Sequence, residues 1–276
     1  MEPASDAVLA VLGVGVVDPS TPVIRADDAG VTRGDGCFEG LRVVDGAVDK
    51  LDAHLVRMAR SCAALELPFE PDAWRALVAE ALAAWPHPGE AALKLVLTRG
   101  TVGYAWLTPL AADYPRLRRD GLRIITLSRG TTIDAFADAP WLLGGVKTLS
   151  YAVNMAATRE AARRGADDVL FVSADGFVLE APTGTAVWAV GRTLRTTPLG
   201  ASGILGGTTQ QRLFDRAGDA GWRVEEAAAR VDDLHEADVL WVVSSVRGPI
   251  DVIELDGKQR ARRPELDAQI RRLAGF

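Results

Sequence analysis

Lysine is scarce in this chain. Of its 31 basic side chains only four are lysine: Lys50, Lys94, Lys147 and Lys258. Arginine serves wherever positive charge alone is needed, so each lysine is worth explaining. Histidine is scarcer still. His54, His87 and His235 stand far apart, with no HExxH run and no Cys/His ligand spacing, which excludes the common zinc sites. Two cysteines, Cys37 and Cys62, build no disulfide framework and suit a reducing compartment. No run is long and apolar enough to cross a bilayer, and the acidic Met1–Asp6 stretch lacks the basic start of a signal peptide. A net charge of -6 and a pI near 5.2 argue against a nucleic-acid partner. There is no GxSxG elbow, and Gly34-Asp35-Gly36 is not followed by the third glycine of a dinucleotide fingerprint. The expectation is a cytoplasmic protein without metal, membrane or nucleic acid.

What is present is ordinary globular material: 48% hydrophobic and 25% charged residues, enough at this length for one large domain or two. Val8–Val17 reads as strand. Leu41–Val44, the Asp45-Gly46 turn and Ala47-Val48 read as a hairpin. Asp52 is expected to cap a helix with Leu55, Met58, Cys62 and Leu65 on one face, and Asp72 to start a second through Leu82. Strands are expected near 91–99 and 104–110. The polar stretch Asp113–Gly121 suggests a boundary, giving a small domain over 1–117, a linker over 118–122 and a large domain over 123–276. A strand at Leu122–Leu127 and a helix over Tyr151–Arg164 follow. Val169–Val172 and Phe177–Leu179 flank an Asp175-Gly176 turn. A helix opens at Gly206–Thr209, and Val239–Val243 reads as a buried strand. Hairpins mixed with isolated helices indicate an α+β fold.

Three local features carry chemistry. Lys147 follows Trp141–Val146 and precedes Thr148–Tyr151, and a partly desolvated amine there is a competent imine-forming nucleophile. Glu180 ends the apolar run Val178-Leu179, where a carboxylate needs a partner such as a pyridinium nitrogen. Gly206-Gly207-Thr208-Thr209 at a helix start offers N–H groups, hydroxyls and a positive dipole end to an anion. Together these suit pyridoxal 5′-phosphate (PLP). Singly, each has a plain alternative: a snorkelling lysine, a salt-bridge partner, a loop with its cap. Lys94, within Leu93–Leu97, reads as a strand residue with an exposed tip.

The order of the motifs resembles the fold-type IV PLP-dependent enzymes, the class IV aminotransferase family. The matching stretches are Arg33–Gly40, His54–Met58, Val146–Tyr151, Asp175–Glu180, Gly203–Thr209 and Val243–Ser245. The resemblance covers nearly the whole chain. It implies a small N-terminal and a larger C-terminal domain with the cofactor between them, and a homodimer. It implies that Lys147 holds the cofactor and moves the proton at the substrate Cα. Glu180 pairs with the pyridine nitrogen, and Tyr151 approaches the phenolic oxygen. Leu205 packs on the ring. Arg57, Gly207, Thr208, Thr209 and Ser245 bind the phosphate. Phe38 lies near the substrate, in a stretch that in the family reaches a shared active site.

Within that family the Tyr-x-Arg stretch of branched-chain enzymes is missing. The Arg-x-His pair that grips the substrate carboxylate in D-amino-acid aminotransferases is replaced by Tyr104 and Trp106, after Thr98-Arg99-Gly100. Arg33 and Arg247 are the candidate replacements. Thr185 stands where the family usually has asparagine. The resemblance implies transamination between D-amino acids, with R-amines a further donor class, and a 2-oxo acid. The alternatives are a 4-amino-4-deoxychorismate lyase, which shares the first proton abstraction, and a non-catalytic PLP-binding member.

Overall fold

A computed structural model describes residues 6–100 and 102–276. The chain divides into two compact units. One holds the described residues up to Ala111 together with Val146–Tyr151. The other holds Ala112–Gly145 and Ala152–Phe276.

In the first unit, β1 (Val8–Val11), β2 (Gly15–Val17), α1 (Ala29–Thr32), β3 (Gly36–Val44), β4 (Ala47–Val48), α2 (Leu51–Ala64), α3 (Pro71–Ala83), β5 (Glu90–Thr98) and β6 (Gly103–Pro109) follow one another. The six strands form one antiparallel sheet in the order β2-β1-β6-β5-β3-β4. Strand alternation sorts β3 into two faces. Cys37, Glu39, Leu41 and Val43 are buried on one, and Phe38, Gly40 and Arg42 lie on the other. Helix α2 covers the first face with a stripe of His54, Leu55, Met58, Ser61 and Cys62. The free thiols of Cys37 and Cys62 meet there at 3.4 Å. The residue at the head of α2 is Lys50, in the left-handed region at φ 57°, and not Asp52. Asp52 lies in the first turn, where its carboxylate faces the helix dipole and takes Arg75 as partner.

The second unit contains α4 (Tyr114–Asp120), β7 (Leu122–Ser128), α5 (Ala152–Arg163), β8 (Asp168–Val172), β9 (Thr185–Val190), β10 (Thr193–Thr196), α6 (Thr208–Ala217), β11 (Arg223–Glu226), α7 (Val231–Glu236), β12 (Val239–Ser244), β13 (Gly248–Leu255), β14 (Lys258–Gln259) and α8 (Pro264–Ala274). Its mixed sheet runs β11-β10-β9-β12-β13-β7-β8, with β14 beside β13. Period-two alternation again builds the core. Val187, Ala189, Trp241 and Val243 pack with Leu213 of α6 and Ile270 of α8, while Ala186, Trp188, Leu240 and Val242 pack with Leu234 of α7.

Two local expectations change. The polar stretch read as a boundary is helix α4, whose Leu117 is buried within the second unit, so the division falls earlier, between Ala111 and Ala112. The chain also returns to the first unit for Val146–Tyr151, the segment that carries Lys147.

Candidate active site

Segment 146–151 lies along the start of β3. Phe38 N–H donates to Lys147 O at 3.0 Å, and Leu149 N–H donates to Gly36 O at 2.8 Å. Cys37 and Thr148 form a β-bridge. This approach needs glycine at position 36, because a Cβ there would stand 2.5 Å from Leu97 O and 2.7 Å from Leu149 Cδ1. On its other side the Lys147 backbone N–H donates to Ser61 Oγ of α2 at 3.2 Å. The lysine backbone is thus held from a strand and a helix. Its Nζ stands 4.3 Å from the centroid of the Phe38 ring and 6.0 Å from that of Tyr151. The two rings meet edge to face at 5.3 Å.

Beneath this face lies a buried ionic cluster that the sequence reading did not assign. Glu39, the fully buried neighbour of Phe38, accepts from Arg57 Nε at 2.8 Å and Nη2 at 2.6 Å. It also accepts from His54 Nδ1 at 2.7 Å. Burial alone would raise the Glu39 carboxyl, but the charge and hydrogen bonds of Arg57 and the bond from His54 outweigh it and hold the pKa at about 2. Burial pushes His54 down, so the ring is neutral and Nδ1 carries the proton it donates. His54 and Arg57 are one turn apart on α2, and the alternation of β3 delivers Glu39 to both. The signal in the sequence was a charged residue on the apolar face of a strand.

In the second unit, Glu180 is fixed by backbone pairing. Phe171 N–H donates to Glu180 O, and Leu179 N–H donates to Phe171 O, both at 2.9 Å. The half-buried Glu180 carboxylate accepts Leu205 N–H at 3.2 Å. Farther along, the Ser245 hydroxyl lies 2.9 Å from Thr208 Oγ1 and 3.1 Å from Thr209 Oγ1. Three hydroxyls therefore gather at the N-terminus of the ten-residue α6. Gly207 precedes them, and a Cβ there would come 2.5 Å from Thr185 Oγ1, so the turn is closed tightly against β9. Hydroxyls, a helix N-terminus and a glycine turn make a donor set for an oxyanion such as phosphate.

The other sequence candidates separate. Arg33 ends α1, exposed, with Nη1 donating to Thr32 O at 3.1 Å. Tyr104 and Trp106 are half-buried on β6, side by side on one face. Arg247, suggested by its position as a carboxylate grip, is buried and donates to Asp168 Oδ2 at 2.8 Å and to Thr183 Oγ1 at 2.9 Å. A guanidinium committed to a buried carboxylate is a structural ion pair, and its removal would strand Asp168.

The sequence model of the family described as amino-transferase class IV matches residues 36–255. This chain belongs to the class IV aminotransferases. It is 42% identical over 265 residues to a protein of Mycobacterium tuberculosis described as a bifunctional aminodeoxychorismate lyase / D-amino acid transaminase, covering 90% of this chain and 91% of that one. Solved structures of a hypothetical aminotransferase from the same organism, one PLP-bound and one bound to alpha-ketoglutarate and PMP, superpose with a TM-score of 0.93 at 40% identity. They cover 97% of this chain and 98% of theirs. A fold IV-transaminase from Curtobacterium pusillum gives a TM-score of 0.91 at 37% identity, covering 98% and 97%.

The α+β architecture described above is therefore that of fold type IV, and the class IV aminotransferases are PLP enzymes. Each unit by itself presents groups whose chemistry fits the cofactor: the first an amine held at an aromatic face, the second a carboxylate on a fixed backbone and an oxyanion cup at a helix start. No helix among the described residues is long and apolar enough to cross a membrane.

Proposed function

We propose that this class IV aminotransferase moves the amino group of D-amino acids to a 2-oxo acid, as a cytoplasmic homodimer. The 42% identity to a relative described as a D-amino acid transaminase carries the reading. The alpha-ketoglutarate bound to the Mycobacterium tuberculosis aminotransferase supports a 2-oxo acid acceptor. Exposed Trp141 and Leu142, on the turn before Lys147, offer apolar surface suited to a second copy. The same relative's description favours 4-amino-4-deoxychorismate lyase as a second activity.

PLP, when bound, supplies an electron sink for the charge that develops at the substrate Cα. The roles proposed for this chain are as follows. Lys147 holds the cofactor and takes and returns the Cα proton. Glu180 keeps the pyridine nitrogen protonated. Thr208, Thr209, Ser245, the N–H groups after Gly207, and Arg57 bind the phosphate. Tyr151 is set toward the phenolic oxygen and Leu205 toward the ring. Phe38, Tyr104 and Trp106 line the substrate side. With Arg247 tied to Asp168, Arg33 is the cation proposed for the α-carboxylate.

Glu180→Gln keeps the shape and loses the charge. Single-turnover rates should fall by about 10²-fold or more, the lower scale of acid–base contributions. An unchanged rate would remove the role. The reading as a whole is tested by mixing the PLP-loaded enzyme with D-alanine, L-leucine, R-1-phenylethylamine or aminodeoxychorismate. The absorbance change and the keto product are followed in each case. Conversion of D-alanine to pyruvate is expected. Response to L-leucine alone would overturn the D-amino-acid assignment, and formation of 4-aminobenzoate would establish the lyase activity.

A further inference from the structure

We infer that Lys94 is a specificity-determining residue that holds the side-chain carboxylate of a dicarboxylic donor or acceptor, an inference that rests on the transamination reading above. Lys94 lies on the face of the first sheet turned away from α2. There the register sets Phe38 opposite Val96 and Val96 opposite Tyr104. The next row pointing the same way is Gly40, Lys94 and Trp106. The Phe38 row carries the reacting amine, since Lys147 Nζ stands 4.3 Å from the Phe38 ring centroid. Lys94 therefore belongs to the row directly beside it.

Its surroundings differ from those of a lysine that merely solvates a sheet. Gly40 on one side contributes no side chain, and Trp106 on the other is a half-buried aromatic wall. Lys94 is exposed and has neither a hydrogen bond nor an ion pair among the described residues. Arg42, the next cation along the face, is neutralised by Glu90. An ammonium without an anion, in a gap beside an aromatic wall, suits a ligand carboxylate that arrives with an apolar stem.

The row spacing bears on which carboxylate. The Lys94 row lies about 7 Å along the strands from the Phe38 row, so this lysine stands beyond the row that carries the amine. A distal carboxylate, carried farther from the reacting carbon than the α-carboxylate, extends toward that row. D-alanine, which has only the α-carboxylate, is the control that separates the two.

The test compares wild type, Lys94→Met and Lys94→Arg, all PLP-loaded. Two quantities are measured: the ratio of kcat/KM for D-glutamate over D-alanine, and the calorimetric affinity for glutarate, which has neither amine nor keto group. The ratio should fall about ten- to a hundredfold in Lys94→Met, the scale of one charge-assisted hydrogen bond. Glutarate affinity should fall with it, and Lys94→Arg should recover most of both. An unchanged ratio with unchanged glutarate affinity would overturn the inference. So would equal losses on both amino acids with glutarate binding intact, which would mark general damage. Failure of the wild type to convert either amino acid would overturn the transamination reading itself, and this inference with it.

Discussion

Lys147→Ala is expected to abolish transamination, by about 10⁴-fold or more, the upper end of what a positioned acid–base group contributes. The loss is large because one side chain is asked both to hold the cofactor and to move the Cα proton. The geometry explains why no neighbour substitutes. The backbone at 147 is clamped between Phe38 N–H and Ser61 Oγ, so its amine is delivered to one place over the Phe38 ring. Lys94 stands in the next row of the sheet, opposite Gly40 and Trp106, and not against the Phe38 ring that holds the Lys147 amine. Borohydride should fix cofactor to the wild-type chain and not to the variant. Lys147→Arg separates charge from chemistry. It keeps a cation against the aromatic face, worth about 0.5–2 kcal/mol, but a guanidinium does not condense with an aldehyde, so activity should fall as far as in alanine. A Lys147→Ala protein that still turned over and still carried a reducible adduct would refute the assignment.

The parts of the candidate site legible in the sequence are those written in local pattern. Lys147 stood out by the scarcity of lysine, and Glu180 by ending an apolar run. The cup at Thr208–Thr209 showed as a glycine turn before a helix. Each of these depends on a few consecutive residues. The strands were readable for the same reason, since Cys37, Glu39, Leu41 and Val43 alternate with their neighbours in burial. What escaped depends on partners distant in the chain. Arg247 looked available because Asp168, which claims it, lies 79 residues away. The return of Val146–Tyr151 to the first unit has no local signature, because its pairing with β3 spans more than a hundred residues. At Asp113–Gly121 a proline and several charges suggested a turn, yet Pro115 sits in the first turn of α4, where its missing N–H costs nothing. Residue type alone points to Asp52 as the cap, whereas the left-handed backbone of Lys50 turns the chain into α2.

Glu39 is the clearest case of a residue whose importance comes only from its partners, and Glu39→Gln should show it. The variant keeps the size of the side chain but leaves Arg57 facing a neutral amide in a buried setting. The wild-type carboxyl is held at about 2 against an ordinary value of 4.5. At 1.36 kcal/mol per pH unit, this corresponds to about 3 kcal/mol of stability at neutral pH. That agrees with the 3–5 kcal/mol range for breaking a buried ion pair. A depressed carboxyl pKa contributes fully above about 4.5 and is lost as pH falls toward 2. The wild type should therefore lose stability steeply across that window, and Glu39→Gln, already weaker at pH 7, should lose much less. His54 acts in the same direction at higher pH. Its folded form resists protonation because it is buried, so stability also falls as pH drops below about 6.5. That leg should survive in Glu39→Gln, because removing the carboxylate takes away the group that favours the charged ring. Denaturant titrations from pH 8 to 2 separate the two legs. At pH 7 the thermal midpoint should fall by roughly 6–12 °C, at about 2–4 °C per kcal/mol. PLP affinity should fall as well, because one of the two oxygens that accept from Arg57 Nε and Nη2 becomes an amide NH2, which breaks the paired contact that fixes the guanidinium plane. A variant with the wild-type midpoint and the wild-type acid slope would show that the cluster contributes no net stability.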